Sequence, residues 1–136
     1  MKVDIKNILT LAAHTDDVEI GCGASLYKFK DANIKVIAFS LAPGEDVKHE
    51  FGNSMELLKN DWGRRGSVEY DLHEMQIREL GYNRQKILDI LCEEAWGNDY
   101  DLVFCPSSFD THQDHAVISD ECFRAFKKTT ILGYEM

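Results

Sequence analysis

Two almost unbroken apolar runs, Asn7-Ile8-Leu9-Thr10-Leu11-Ala12-Ala13 and Asp101-Leu102-Val103-Phe104-Cys105, constrain the fold more than any other feature of this chain. A strand with one wet face alternates polar and apolar residues. A run without that alternation is buried on both faces, the condition of strands in a parallel sheet covered by helices on each side. The intervening sequence supplies the helices. Ile20, Ala24 and Tyr27 recur at helical spacing up to Phe29. Met55, Leu58 and Trp62 do so in a second helix from about Phe51, and Ile87, Leu88, Leu91 and Ala95 form a stripe in a third between Arg84 and Trp96. A fourth helix is expected from about Ala116 to Lys127.

Ile34–Leu41 reads as a strand, Ser67–Tyr70 as a short one and Thr130–Leu132 as a final apolar run, while Ala42-Pro43-Gly44-Glu45-Asp46 breaks the pattern. The alternating order predicts an α/β, Rossmann-like three-layer domain with a mainly parallel sheet and right-handed crossovers. At 136 residues, without repeat, low-complexity tract or linker, the chain reads as a single domain over 1–136.

In such a sheet the loops at the carboxyl ends of the strands share one edge, and ligands bind there where the strand order reverses. Each apolar run leads into a histidine- and aspartate-rich motif: Ala13-His14-Thr15-Asp16-Asp17 after the first, Asp110-Thr111-His112-Gln113-Asp114-His115 in a loop after the second. Although about a hundred residues apart, the two motifs are expected to meet at the carboxyl ends of strands 1 and 4 as a split metal site. His14 and Asp17 lie three apart, so a single turn can aim both at one point. A distant histidine completes the set of two imidazoles and one carboxylate that serves a catalytic zinc with an open fourth position. The same set suits ferrous iron, so the residues leave the metal open between Zn2+, Fe2+ and another divalent ion. His49 and His73 have no such neighbours and read as exposed polar side chains.

The remaining features narrow the function. A formal charge of −9 argues against non-specific nucleic-acid or anionic-membrane binding. No apolar segment approaches the length of a membrane span and no signal peptide is evident, so the chain is expected to be cytoplasmic, without membrane insertion. Cys22, Cys92, Cys105 and Cys122 are scattered within apolar elements with no C-x-x-C pair, and read as reduced core thiols. Gly21 and Gly23 do not make a dinucleotide loop: Leu26 takes the third glycine position, and no acidic residue ends the second strand.

The motifs resemble those of the LmbE/PIG-L family of zinc-dependent N-deacetylases, which remove acetyl groups from N-acetylglucosamine-containing conjugates. The family's first signature, Ala-His-Pro-Asp-Asp before an acidic residue and a glycine-rich helix start, stands here as Ala13-His14-Thr15-Asp16-Asp17-Val18-Glu19-Ile20-Gly21-Cys22-Gly23. Its second, Asp-x-His-x-Asp-His after a strand ending in proline, is matched by Phe104-Cys105-Pro106 and Asp110 to His115. Ala42-Pro43-Gly44-Glu45 and the Ile131-Leu132-Gly133-Tyr134-Glu135 ending extend the resemblance over almost the whole chain.

By position, the resemblance implies metal ligation by His14, Asp17 and His115, with Asp16 as general base. It implies that His112 stabilises the oxyanion or protonates the leaving amine, and that Asp114 orients His112. The chain departs from the pattern at Thr15, where proline is usual, at Ala24 in place of a glycine, and at Asn53, where an arginine linked to substrate binding stands in an Arg-x-x-Glu pair. It also stops where members continue for several dozen residues. The expected activity is removal of the N-acetyl group from a small-molecule amino-sugar conjugate. The alternatives are a non-catalytic, metal-stabilised binding domain or a fragment of a longer deacetylase, and a homo-oligomer is left open.

Overall fold

The structure, a computed structural model, describes residues 3–44, 46–61 and 63–136. Five strands, β1 (Asn7–Ala12), β2 (Asn33–Leu41), β3 (Val68–Gln76), β4 (Leu102–Pro106) and β5 (Thr130–Tyr134), form one sheet in the order β3-β2-β1-β4-β5. Every pairing in it is parallel. Four helices connect them: α1 (Asp17–Lys28), α2 (Val47–Lys59), α3 (Arg84–Gly97) and α4 (Gln113–Ala125), with a short 3-10 turn at Leu80–Asn83.

The pleat sorts the apolar runs into two cores. Ile8 and Ala12 of β1, Ile34, Val36 and Ala38 of β2, and Leu102 and Phe104 of β4 pack against Val18, Cys22 and Leu26 of α1 and Phe51, Met55 and Leu58 of α2. Leu9, Leu11, Ile37, Phe39, Val103 and Cys105 face the other way, against Ile87 and Leu91 of α3 and Val117, Ile118 and Cys122 of α4. The result is the three-layer α/β fold expected from unalternating strands. Ile8, Leu9 and Leu11 are wholly buried, and burial of such a side chain contributes about 1.5–3 kcal/mol.

Four expectations are corrected. Helix α1 begins at Asp17 and buries Val18, Cys22 and Leu26, so Ile20, Ala24 and Tyr27 lie on its outward side, Ile20 being 67% exposed. The inward face is set by Tyr134, whose ring occupies the space beside Gly21: a Cβ there would stand 2.2 Å from Tyr134 Cδ2. Strand β3 runs nine residues rather than four, because an edge strand tolerates the polar residues that Glu69, Asp71 and Glu74 bring. His73 is half-buried and its ring stacks on Phe39 with centroids 5.5 Å apart. Helix α4 starts at Gln113, three residues before the apolar periodicity, which moves Asp114 and His115 from loop to first turn. Met55 and Leu58 of α2 are buried as expected, together with Phe51, although the helix begins at Val47. Trp62 and Glu45, also named in the sequence reading, lie outside the described residues. Cys22, Cys105 and Cys122 are buried free thiols and Cys92 a half-buried one.

After β1 the chain winds through α1, β2 and α2 to β3 on one side, then returns through α3 to β4 on the other side of β1. The connections after β1 and β4 therefore leave in opposite directions and open a crevice between the carboxyl ends of these two strands. Both histidine motifs emerge there. Among the described residues no helix is long and apolar enough to cross a membrane.

Candidate metal centre

The first motif folds into the single turn its spacing implies. The Asp17 backbone N–H reaches the His14 carbonyl at 3.4 Å, and the His14 N–H donates to Asp17 Oδ2 at 2.8 Å. Asp17 becomes the first residue of α1, only 1% exposed, and Asp16 caps that helix as an exposed residue without a side-chain cap bond. In the second motif His112 is the N-cap of α4: its Nδ1 accepts the Asp114 N–H at 3.1 Å, meeting one of the four amide donors that a helix start leaves unpaired. This cap carries His115 onto the first turn, facing β1.

Three inward side chains then converge from the two motifs. His14 Nδ1 lies 3.2 Å from His115 Nε2, His115 Nε2 lies 3.2 Å from Asp17 Oδ2, and His14 Nδ1 lies 3.6 Å from Asp17 Oδ1. Ligands held tetrahedrally at about 2.0–2.1 Å from one zinc stand about 3.3 Å from each other, so these separations fit a single small cation. His112 is also close, its ring 4.8 Å from the rings of both His14 and His115. The nitrogens of His14, His112 and His115 can be chosen within 4.8 Å of one another, an alternative three-imidazole set. The Asp17 oxygens are buried and close to both rings, whereas Nδ1 of His112 is engaged by the helix cap.

The outward nitrogen of each converging imidazole is held by a carboxylate. His14 Nε2 bonds Asp114 Oδ2 at 2.9 Å and His115 Nδ1 bonds Asp110 Oδ2 at 2.7 Å. Carboxylates behind metal-binding imidazoles set the ring orientation and the tautomer. The structure thus redirects one expected contact. The Asp114 carboxylate, wholly buried, does not hold the His112 ring; it pairs with His14 and accepts the backbone N–H groups of Arg78 at 2.6 Å and Leu80 at 3.4 Å. The reason is the helical turn, which points residue 114 inward toward β1 while leaving residue 112 at the exposed cap. Asp110 had no assigned task in the sequence reading, yet it holds His115 and also accepts the His112 N–H at 2.8 Å. Its signal was present: each metal-binding imidazole calls for a carboxylate behind it, and two histidine ligands called for two.

The protonation pattern of the metal-free cluster follows from these contacts. Burial pulls the His115 pKa down, but hydrogen bonds to Asp17 and Asp110 outweigh it and hold the group at about 9. His14 behaves similarly: burial opposes its charge, Asp17 and Asp114 favour it, and the pKa is raised. Burial alone would raise Asp17, but the imidazoles of His115 and His14 and the His14 N–H hold it well below the usual carboxylate range. His112 goes down, by burial and by the positive charge of His14 and His115.

With this geometry established, the sequence and the structure can be set beside known proteins. At 26% identity over 140 residues, the chain is similar to YaiS of Escherichia coli (strain K12), an uncharacterized deacetylase, the match covering 96% of this chain and 74% of that one. Its fold is similar to that of the N,N'-diacetylchitobiose deacetylase from Pyrococcus horikoshii, with a TM-score of 0.64 and 21% identity over 90% of this chain. This chain spans about half, 49%, of that enzyme. A triple-mutant deacetylase of the teicoplanin biosynthetic pathway aligns with a TM-score of 0.75 at 17% identity, over 96% of this chain and 64% of its own. At these identities the two structures establish likeness of fold. The sequence profile described as PIG-L, GlcNAc-PI de-N-acetylase, matches residues 9–126, which takes in both histidine motifs, and the chain belongs to that family.

Proposed function

We propose that this chain is a divalent-metal-dependent deacetylase that hydrolyses the N-acetyl group of an amino-sugar conjugate. The observation that carries the reading is the paired orientation of His14 and His115, each with one nitrogen locked by a carboxylate and the other turned toward Asp17. His14, Asp17 and His115 would hold the metal. When bound, such an ion supplies a Lewis acid for the acetamide carbonyl and lowers the pKa of water toward about 7. Two nitrogens and one oxygen suit zinc, and the same set also accepts ferrous iron.

The protein groups divide the remaining work. Asp16 sits between the two ligands of the first motif, exposed and without a side-chain partner among the described residues. It takes the proton from water as the water oxygen bonds to the carbonyl carbon. His112 is the donor to the oxyanion that develops. Its Nδ1 accepts from the Asp114 amide, so the neutral ring carries its proton on Nε2 and presents it as a hydrogen bond. A ring held that way is a poor source of a full proton. The amide nitrogen therefore recovers the proton from Asp16 as the C–N bond breaks, leaving acetate and a free amine.

The substrate class draws its support from what the relatives are named for: N,N'-diacetylchitobiose in one case, GlcNAc-PI in the family description. The test is metal analysis of the purified chain with a fluorescamine assay for amine released from N-acetylglucosamine and its conjugates, and His14→Ala as control. Metal-dependent release lost in the control is the expected result. Bound metal without turnover on any conjugate supports the binding-domain alternative, and absence of metal removes the proposed centre.

A further inference from the structure

Arg78 stands out from every other arginine in the chain. The guanidinium of Arg64 caps backbone carbonyls of Leu26, Phe29, Ala32 and Leu58, and those of Arg65, Arg84 and Arg124 pair with Asp31, with Asp120 and Glu121, and with Glu121. The Arg78 guanidinium has no ion-pair or hydrogen-bond partner among the described residues, in a chain whose formal charge of −9 offers many. Its main chain, by contrast, is clamped. The N–H donates to Asp114 Oδ2 at 2.6 Å and the carbonyl accepts from Gln113 Nε2 at 2.9 Å. The oxygen that holds Arg78 is the one that holds His14.

The clamp maintains a strained backbone. Arg78 has φ +67°, the one positive value at a non-glycine position among the described residues, where glycine would sit freely. Strain of this kind persists where the surroundings over-determine it, and it gathers at ligand-binding sites. The residue so placed lines a cleft of about 630 Å³ at the carboxyl ends of β2 and β3, on the sheet edge from which both histidine motifs emerge. Leu41, Pro43, Met75 and Ile77 give it apolar walls. Glu74, which also lines it, pairs with Lys48 at 3.1 Å. A cleft with apolar walls and a main-chain-anchored guanidinium that has no partner among the described residues suits a ligand bearing an anionic oxygen group.

We infer that Arg78 is a specificity-determining residue that selects conjugates carrying a phosphate or carboxylate beside the amino sugar. The inference rests on the deacetylase reading for its substrate class, but its binding test does not. Wild type is compared with Arg78→Gly and Arg78→Asn, both tolerant of the left-handed backbone, each checked for unchanged metal content. Calorimetry measures binding of glucosamine, glucosamine 1- and 6-phosphate, and muramic acid. Amine release is measured on the corresponding N-acetylated compounds.

The expected result is a preference of about 10- to 100-fold for the compounds bearing a phosphate or carboxylate over the parent sugar in wild type, as a charge-assisted pair supplies. That preference should collapse in both variants, through KM more than kcat. Preference for the phosphates alone or for muramic acid alone identifies which group the guanidinium takes. Equal binding of the parent sugar and its phosphate- or carboxylate-bearing forms by wild type, or a preference that survives both variants, overturns the inference. If no compound releases amine but the calorimetric preference holds and is lost in the variants, the deacetylase reading fails and the Arg78 site stands.

Discussion

The 2.9 Å hydrogen bond between Asp114 Oδ2 and His14 Nε2 joins the two motifs across one hundred residues. It fixes the orientation of the His14 ring on the β1 loop from the first turn of α4. The corresponding bond from Asp110 to His115 stays within the second motif.

Removing either carboxylate should loosen the metal. Asp114→Ala and Asp110→Ala are each expected to lower metal affinity about 10- to 100-fold, the usual effect of losing the group behind a metal-binding imidazole. His112→Ala should leave affinity intact if Asp17 is the third donor. Competition with a chelating dye measures all three. Unchanged affinity in Asp114→Ala would remove the orienting role, and a large loss in His112→Ala would point to the three-imidazole set.

The metal-free chain and the metal-bound chain should respond oppositely to pH. With the His115 pKa at about 9 in the folded state, above an unfolded value of about 6.5, its contribution to stability is fully present below about pH 6.5. It is lost as the pH rises through about 9. A cation takes the unprotonated imidazole and so competes with that proton. In thermal melts, the contribution of His115, read as wild type minus His115→Ala with chelator present, should shrink between pH 7 and 9. The gain in melting temperature on adding metal should grow over the same range. A metal-induced gain that shrank toward pH 9 would contradict the assignment.

Asp16→Asn should separate metal binding from catalysis. Asp16 makes no side-chain cap bond, so the isosteric amide should leave metal content and melting temperature near wild type while amine release falls about 10²- to 10⁴-fold, the usual contribution of a general base. Loss of metal together with activity would mean that Asp16 is a ligand.

Gly21→Ala tests why the glycine of the first motif is there. Its new Cβ would collide with the Tyr134 ring at 2.2 Å, and overpacking of this kind costs about 1–3 kcal/mol. Tyr134 cannot easily yield, because its hydroxyl donates to the Leu11 carbonyl at 2.7 Å inside the core. Urea unfolding gives the loss directly, and Tyr134→Ala in the same background should recover part of it. A neutral Gly21→Ala would show that Tyr134 can rotate away.

Much of the fold was readable because it depends on residues near each other in the chain. The unbroken runs at Ile8–Ala12 and Leu102–Cys105 report burial on both faces wherever they end up, and the stripe at Ile87 and Leu91 reports a helix. Periodicity failed where a neighbour from afar decides. Ile20, Ala24 and Tyr27 form a good stripe, yet α1 turns the other side inward to admit Tyr134 and to bring Asp17 to the crevice. In β3, the polar residues past Tyr70 look unlike a strand until β2 supplies the ladder for an edge.

The same division runs through the site. By itself, the sequence determined the chemistry on offer: imidazoles and carboxylates at His14, Asp16, Asp17, Asp110, His112, Asp114 and His115, each motif following a buried strand. Only the tertiary structure decided which nitrogen of each ring faces Asp17, that Asp114 holds His14 rather than His112, and that Arg78 shares that oxygen. These choices depend on the reversal of strand order between β1 and β4 and on the turn of α4 at which each residue falls. Both arise from contacts between segments a hundred residues apart, which no local pattern encodes.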